Sequence, residues 1–220
     1  MTQELTPVSF WYFKLNREKD YTMNTKLLLL PVLLLATHTN AASLTSTFST
    51  NDVTVSDGFI SVSGSSFTTG LSYRSIFENN IGMLAGFSYM TGDIEGYPIS
   101  GTMFSVGGGY ALSNDLDKTN GKGSEIVVGA VMNNMNIDFG NTSSTESTID
   151  LTISGEMAFT PTMTSTFTLS TPTDNIGNSL NYAAGVTFGN YSVGISGSNS
   201  NVDGITSDGS GFYLGYTSSF

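Results

Sequence analysis

The chain has 220 residues, 25 glycines, no cysteine and only 11% charged residues, against about 25% in ordinary globular chains. That composition allows one domain, excludes disulfide and thiol chemistry, and supplies too few charges for an ordinary water-exposed surface. A formal net charge of −11 argues against binding nucleic acid by neutralising phosphates.

The first 22 residues, MTQELTPVSFWYFKLNREKDYT, fit neither a strand nor an export signal. From Met23 the sequence reads MNTKLLLLPVLLLATHTNAAS, with Lys26, an apolar core from Leu27 to Ala36, and a polar stretch ending in Ala41 and Ala42. The core is about half as long as the roughly 20 residues of a transmembrane helix, so 23–42 reads as a secretory signal peptide cleaved near Ala42. Lys19-Asp20 can be encoded by AAG-GAY, a purine-rich ribosome-binding sequence suitably placed before Met23. Residues 1–22 are therefore expected to be a leader produced by too early a start assignment, and 43–220 the mature domain. That domain keeps three cations (Arg74, Lys118 and Lys122) against fifteen acids, a net charge of −12, and loses the single Trp and the single His.

The mature part alternates with period two almost throughout. Strands are expected over Phe67–Tyr73, Ile81–Tyr89, Phe104–Leu112, Ser124–Asp138, Ile149–Phe159, Met163–Thr171, Leu180–Phe188, Tyr191–Ile195 and Phe212–Phe220. Ile149, Leu151, Ile153, Met157 and Phe159 opposite Thr148, Asp150, Thr152, Ser154 and Glu156 is the clearest case. Ser124–Asp138 is ambiguous in phase, because Ile126, Val128, Ala130 and Met132 compete with Val127, Gly129 and Val131. An upward strand must precede Phe67, in LTSTFST or FISVS between Leu44 and Ser63, which makes ten; eight is the alternative, should segments such as Tyr191–Ile195 be too short to span.

Connections are expected to alternate in length. Ser75–Asn80, Thr160–Thr162 and Gly189-Asn190 are short; Thr91–Pro98, Phe139–Ser147, Pro172–Asn178 and Ser198–Ser210 read as longer loops, and Ser113–Gly123 as a long turn on the short, periplasmic side. A soluble sandwich would carry Lys and Glu on its outer faces, whereas the face opposite each apolar stripe is Gly, Ser and Thr. The fold class expected is all-β, a single antiparallel up-and-down transmembrane β-barrel with apolar faces to lipid and small polar faces such as Thr164, Thr166, Thr168, Ser192, Gly194 and Ser196 to the lumen.

The chain closes on Phe212, Leu214, Tyr216 and Phe220 in alternation. This ending resembles the carboxy-terminal signature of bacterial outer-membrane proteins, with Ser218 a departure from the usual apolar or aromatic residue two places from the end. The resemblance is to small outer-membrane barrels of the opacity-type and porin-like class. It implies export to the bacterial outer membrane, contact with outer-membrane lipid, and recognition of these four residues by the barrel-assembly machinery. Enzymatic barrels of this class resemble one another in needing a His, which the mature chain lacks. No enzyme activity and no cofactor are expected, and zinc chemistry lacks ligands.

The charges left for function are few. Asp150 and Glu156 share the polar face of one strand roughly 20 Å apart, too far for a shared proton or a glycosidase-type pair, and either line a pore or sit near the rim with Arg74 as partner. NVDGITSDGSG, with Asp203 and Asp208, could attract a divalent cation but lacks the carboxylate spacing of an EF-hand. The sequence thus leads to a porin-like, weakly cation-selective pore passing small solutes or cations. The alternative is a non-conducting surface-interaction or structural barrel, serving adhesion or envelope integrity through acidic extracellular loops.

Overall fold

The computed structural model describes residues 41–56, 58, 60–77, 79–140 and 142–219. The expected leader, the signal peptide up to residue 40, and Phe220 lie outside the described residues. Ten strands follow in order: β1 (Ala41–Ser56), β2 (Ser61–Ile76), β3 (Ile81–Ile94), β4 (Tyr97–Asn114), β5 (Ser124–Phe139), β6 (Thr142–Thr160), β7 (Met163–Pro172), β8 (Ser179–Phe188), β9 (Tyr191–Val202) and β10 (Ile205–Ser219). Each pairs antiparallel with its sequence neighbours, and β10 returns to β1 in a continuous ladder from Ser43↔Ser219 to Ser56↔Thr206. The sheet is a closed up-and-down barrel with no edge strand.

The expected tenth strand is the LTSTFST segment, which lies in β1, while Ser61–Ser63 of FISVS open β2. β9 runs twelve residues, not five, because the small polar residues after Ile195 continue to pair with β8 and β10. The eight-strand alternative therefore falls.

The expectation of long loops is corrected in three places. β3 and β4 meet in the two-residue turn Glu95-Gly96, β9 and β10 in Asp203-Gly204, and β5 reaches Phe139 with β6 starting at Thr142. Both residues of the first two turns have positive φ (51 and 86°, 52 and 82°), the backbone hand that matches the twist of a tight hairpin. Stretches rich in Ser, Thr, Asn and Gly resemble loops in composition, yet they carry the ladder well past the apolar residues. Of the four connections expected to be long, β7–β8, across residues 173–178, stays so.

Orientation follows from exposure along β6. Ile149 and Leu151 are 50% and 44% exposed while Asp150 between them is 8% exposed, so the apolar set faces out and the polar set faces in. Register carries this phase round the barrel. On β5 it puts Ile126, Val128, Ala130 and Met132 outside, opposite Gly155, Ile153, Leu151 and Ile149, and leaves Val127, Gly129 and Val131 in the lumen. From Ile149 to Phe159 the outward stripe on β6 covers ten steps. At about 3.3 Å per step and a tilt of about 40°, it is about 25 Å tall, the height of a lipid-embedded belt.

Aromatic pairs mark its two margins: Phe48 with Phe67 at 6.3 Å on one side, Tyr191 with Tyr216 at 5.3 Å on the other. The Tyr216 hydroxyl accepts from Asn190 Nδ2 at 3.3 Å, so the ring keeps its body on the belt and its polar tip at the turn. Beyond the Phe48–Phe67 margin the strands continue for several residues rich in Ser, Thr, Asn and Asp, with apolar residues such as Val53, Val55 and Ile137 among them. This is the hairpin end; the opposite end, which bears both ends of the described chain, is the terminal end.

Candidate functional site: the charged lumen

Arg74 on β2, Asp150 and Glu156 on β6 all lie on the lumen-facing phase of their strands. The structure does not bring them together. Arg74 forms its ion pair with Glu125 on β5, a residue the sequence reading passed over, while Glu156 is matched by Lys118, whose Nζ donates to Glu156 Oε1 at 2.8 Å. The same oxygen accepts from Thr164 Oγ1 at 2.8 Å. Glu125 and Glu156 are direct partners in the β5–β6 ladder, so two like charges that would repel are each given a cation.

The Arg74–Glu125 pair crosses open space. Ten strands spaced about 4.8 Å and tilted about 40° enclose a cylinder of about 10 Å radius, so positions three strands apart face one another across about 16 Å. Between the two residues β3 and β4 present Gly82 and Gly109. A Cβ at Gly109 would collide with the backbone of Val128 and Gly129, and one at Gly82 would already touch Val127 of β5 at 3.5 Å. The glycines thus bring the wall close at this level and leave the lumen to the Arg74 side chain. What remains among Arg74, Gly82, Gly109, Val127, Thr152 and Ser154 is a cavity of about 40 Å³, room for a few waters.

Lys118 reaches Glu156 because the β4–β5 turn leans over the terminal mouth. The bulge between Ala111 and Ser113 redirects β4, and a second bulge between Ala158 and Thr160 bends β6 beside it. Gly121 packs so tightly on Thr160 and Pro161 that no side chain fits there, and the Ala158 amide donates to the Gly123 carbonyl at 3.1 Å. The turn is organised by two carboxylates. Asp115 accepts from the Ser124 amide and the Ser113 hydroxyl, and Asp117 accepts from the Asn120 side-chain and backbone N–H groups. Those donors favour the ionised forms and hold both carboxyls below the usual aspartate range.

Higher in the lumen, Tyr213 lies flat against the wall over Gly185 and Gly194, its hydroxyl 3.4 Å from Thr166 Oγ1. Asp150 sits on the other side, near the hairpin end of the belt, with Oδ1 enclosed and without a hydrogen-bond partner. On the outside, Phe212, Leu214 and Tyr216 are 70%, 61% and 45% exposed in the belt of β10. Asp203 is half of a hairpin turn, and Asp208 takes a hydrogen bond from Asn199 Nδ2 on the outer face. No group of three or more His, Cys, Asp or Glu side chains able to hold a metal occurs among the described residues.

No protein-family model matches this chain, and no curated protein does. Solved structures resemble it in fold. The translocator domain of autotransporter NalP from Neisseria meningitidis aligns with TM-score 0.45 and 10% identity over 87% of this chain and 95% of that one. OprG of Pseudomonas aeruginosa aligns with TM-score 0.44 and 9% identity over 83% and 97%, and Ail of Yersinia pestis with TM-score 0.33 and 16% identity over 81% and 98%. At that similarity the functional reading rests on this chain's own geometry.

Proposed function

We propose that this chain is an integral bacterial outer-membrane barrel that works at the cell surface through its long acidic hairpin rim, with a lumen closed at the periplasmic end. The Arg74–Glu125 pair spanning the lumen carries the reading. The belt of about 25 Å supplies the membrane contact, since its strands pair round a closed ladder that leaves no open edge to lipid. The hairpins that rise past the belt then stand in the medium. They carry Asp52, Asp93, Glu95, Asp138, Asp203 and Asp208 with no Lys or Arg among the described residues, a surface suited to basic or cation-bridged partners.

Planar-bilayer recording of the folded mature protein tests it. Wild type should open rarely or not at all, and replacing Arg74 and Glu125 together by Ser should give steady conductance. Steady wild-type conductance that the double variant leaves unchanged would remove the idea of a closed lumen. The second reading, a porin-like and weakly cation-selective pore, is favoured by the small neutral lumen positions Thr166, Thr168, Ser192 and Ser196 and by the unpaired Asp150. On that reading, reversal potentials in a salt gradient should favour K⁺ over Cl⁻ and the preference should fade in molar salt.

A further inference from the structure

The rim is uneven at one place. β6 begins at Thr142, but β7 stops at Pro172, so Asp150 is the last β6 residue that the two strands pair. Pro172 brings no N–H to a ladder, and the Thr173 amide gives a final bond to the Ile149 carbonyl at 2.7 Å. The chain then turns away, the Asn175 amide donating to the Pro172 carbonyl at 3.2 Å. From Thr142 to Thr148, β6 is therefore held on one side only, by β5, from Phe139↔Thr142 to Asn133↔Thr148 without a bulge. Because the Ile149 carbonyl points toward β7, the period of two aims the N–H and C=O groups of Ser147, Thr145 and Ser143 the same way. No backbone group among the described residues meets them, and all three residues are exposed.

Over six steps of about 3.3 Å this is an open strand edge about 20 Å long, standing above the belt in water. Natural edges are ordinarily blunted by Lys, Pro or a bulge, and TSSTEST has none of these. It carries Glu146 instead, with Asp174 in the connection at the foot of the gap and Asp138 opposite Ser143 in the ladder. The hairpin end has no Lys or Arg among the described residues to offset them. We infer that the free edge of β6 takes up an extended, basic peptide segment of a partner protein as an added strand, in the place that a longer β7 would fill. The inference rests on the proposal that the acidic rim acts at the cell surface, and it gives that rim a defined site. The free backbone groups hold an extended chain, and Lys or Arg at alternate positions meets Glu146 on the same face. A second copy of this chain would bring the same acids to the edge, which disfavours it as the occupant.

Fluorescence anisotropy of a short labelled peptide alternating Lys and Val, titrated with the folded mature protein in neutral detergent, is the test. Saturable binding is expected, with amide-exchange protection gained at Ser143, Thr145 and Ser147. Methylating every backbone nitrogen of the peptide keeps its charge but removes its donors, and should weaken binding about tenfold or more. Thr145→Pro should do the same, because the N–H it removes points away from β5 and the β5–β6 ladder survives. Glu146→Gln should weaken binding several-fold, and Asp203→Asn, on another turn of the rim, should match wild type. The methylated peptide reports on wild type even if Thr145→Pro fails to fold. If methylation or Thr145→Pro leaves binding unchanged, charge alone holds the peptide, which overturns the edge and keeps the acidic rim. If the Lys peptide does not bind, or a Glu-for-Lys peptide binds equally, the edge inference and the acidic rim fall together. A dimer that forms without peptide and is lost in Thr145→Pro would overturn the inference in favour of a second copy.

Discussion

The two ends of the barrel treat charge in opposite ways. At the terminal end the chain gathers every described cation, spends two of them on lumen ion pairs and ties the turn that supplies Lys118 with backbone and side-chain hydrogen bonds to Asp115 and Asp117. At the hairpin end the ladders simply lengthen, the connections shrink to two residues in three of the five hairpins, and the acids stay unpaired by any Lys or Arg among the described residues. The difference follows from solvation. A carboxylate on the lumen wall beside another carboxylate needs a cation to remain charged at tolerable cost, whereas one on a water-bathed hairpin is stabilised by solvent alone. Both bulges and both lumen ion pairs are accordingly found at the terminal end.

Several substitutions would sharpen or break this contrast. The largest effect should come from the belt that separates the ends: Leu151→Arg should cost about 2–4 kcal/mol in reversible unfolding from vesicles, as lipid-facing Arg does near mid-depth. Thr152→Arg, one residue along but facing the lumen, should be much milder, and Ser143→Arg, on the outer face of the hairpin extension, should stay within about 0.5 kcal/mol. Equal costs at Leu151 and Ser143 would mean that the belt does not stop where the aromatic pairs place its margin.

Next in size is the lumen bridge. Glu125→Gln strands Arg74 in the lower lumen and should destabilise by about 1–3 kcal/mol, less than a fully buried pair because Arg74 keeps contact with solvent. Lys118→Met should cost at most about 1 kcal/mol, since its side chain is nearly half exposed. If Lys118→Met proved the more damaging of the two, the turn rather than the cross-lumen pair would be the main closure.

The smallest effect is in acid. Because donors depress the folded carboxyls of Asp115 and Asp117, the stability they lend the β4–β5 turn is complete above the ordinary aspartate value of 3.8 and is lost as pH falls through their lower folded values. Amide exchange at Asn120 and Ser124 should therefore accelerate only below about pH 3.8, once corrected for intrinsic rates. The hairpin turn at Asp203-Gly204, held by backbone conformation, should show no matching step.

The belt was legible because lipid on one side and a polar lumen on the other print opposite hydropathies on alternate residues, as from Ile149 to Phe159. β5 was ambiguous for a physical reason: its lumen face carries Val127 and Val131 next to the glycines of β3 and β4, so both faces are apolar or small. The hairpin extensions escaped notice because both of their faces meet water and Ser, Thr, Asn and Gly alternate with themselves. Arg74, Asp150 and Glu156 were singled out as lumen charges by phase alone, but pairing could not be read along the chain. Glu125 lies on the inward phase of β5 at the same end as Arg74; only closure of the sheet brings β2 and β5 to face each other. Asp174 read as loop, and it lies in the β7–β8 connection.

The seam between β1 and β10 has a consequence for how the molecule forms. Thr45 and Thr217, whose hydroxyls meet at 2.9 Å, are separated by 172 positions, while every other strand pairing joins sequence neighbours. Nine of the ten junctions can thus zip locally as hairpins and meanders, but the tenth waits until both outer strands exist and have found each other, at the full entropic cost of the largest loop in the chain. Closure is then the slow step and, once made, the lock: opening requires parting a ladder of fourteen paired positions at once. A barrel held in this way should persist through slow unfolding as much as through a favourable equilibrium, and losing either seam strand would leave two long edges seeking partners in other copies.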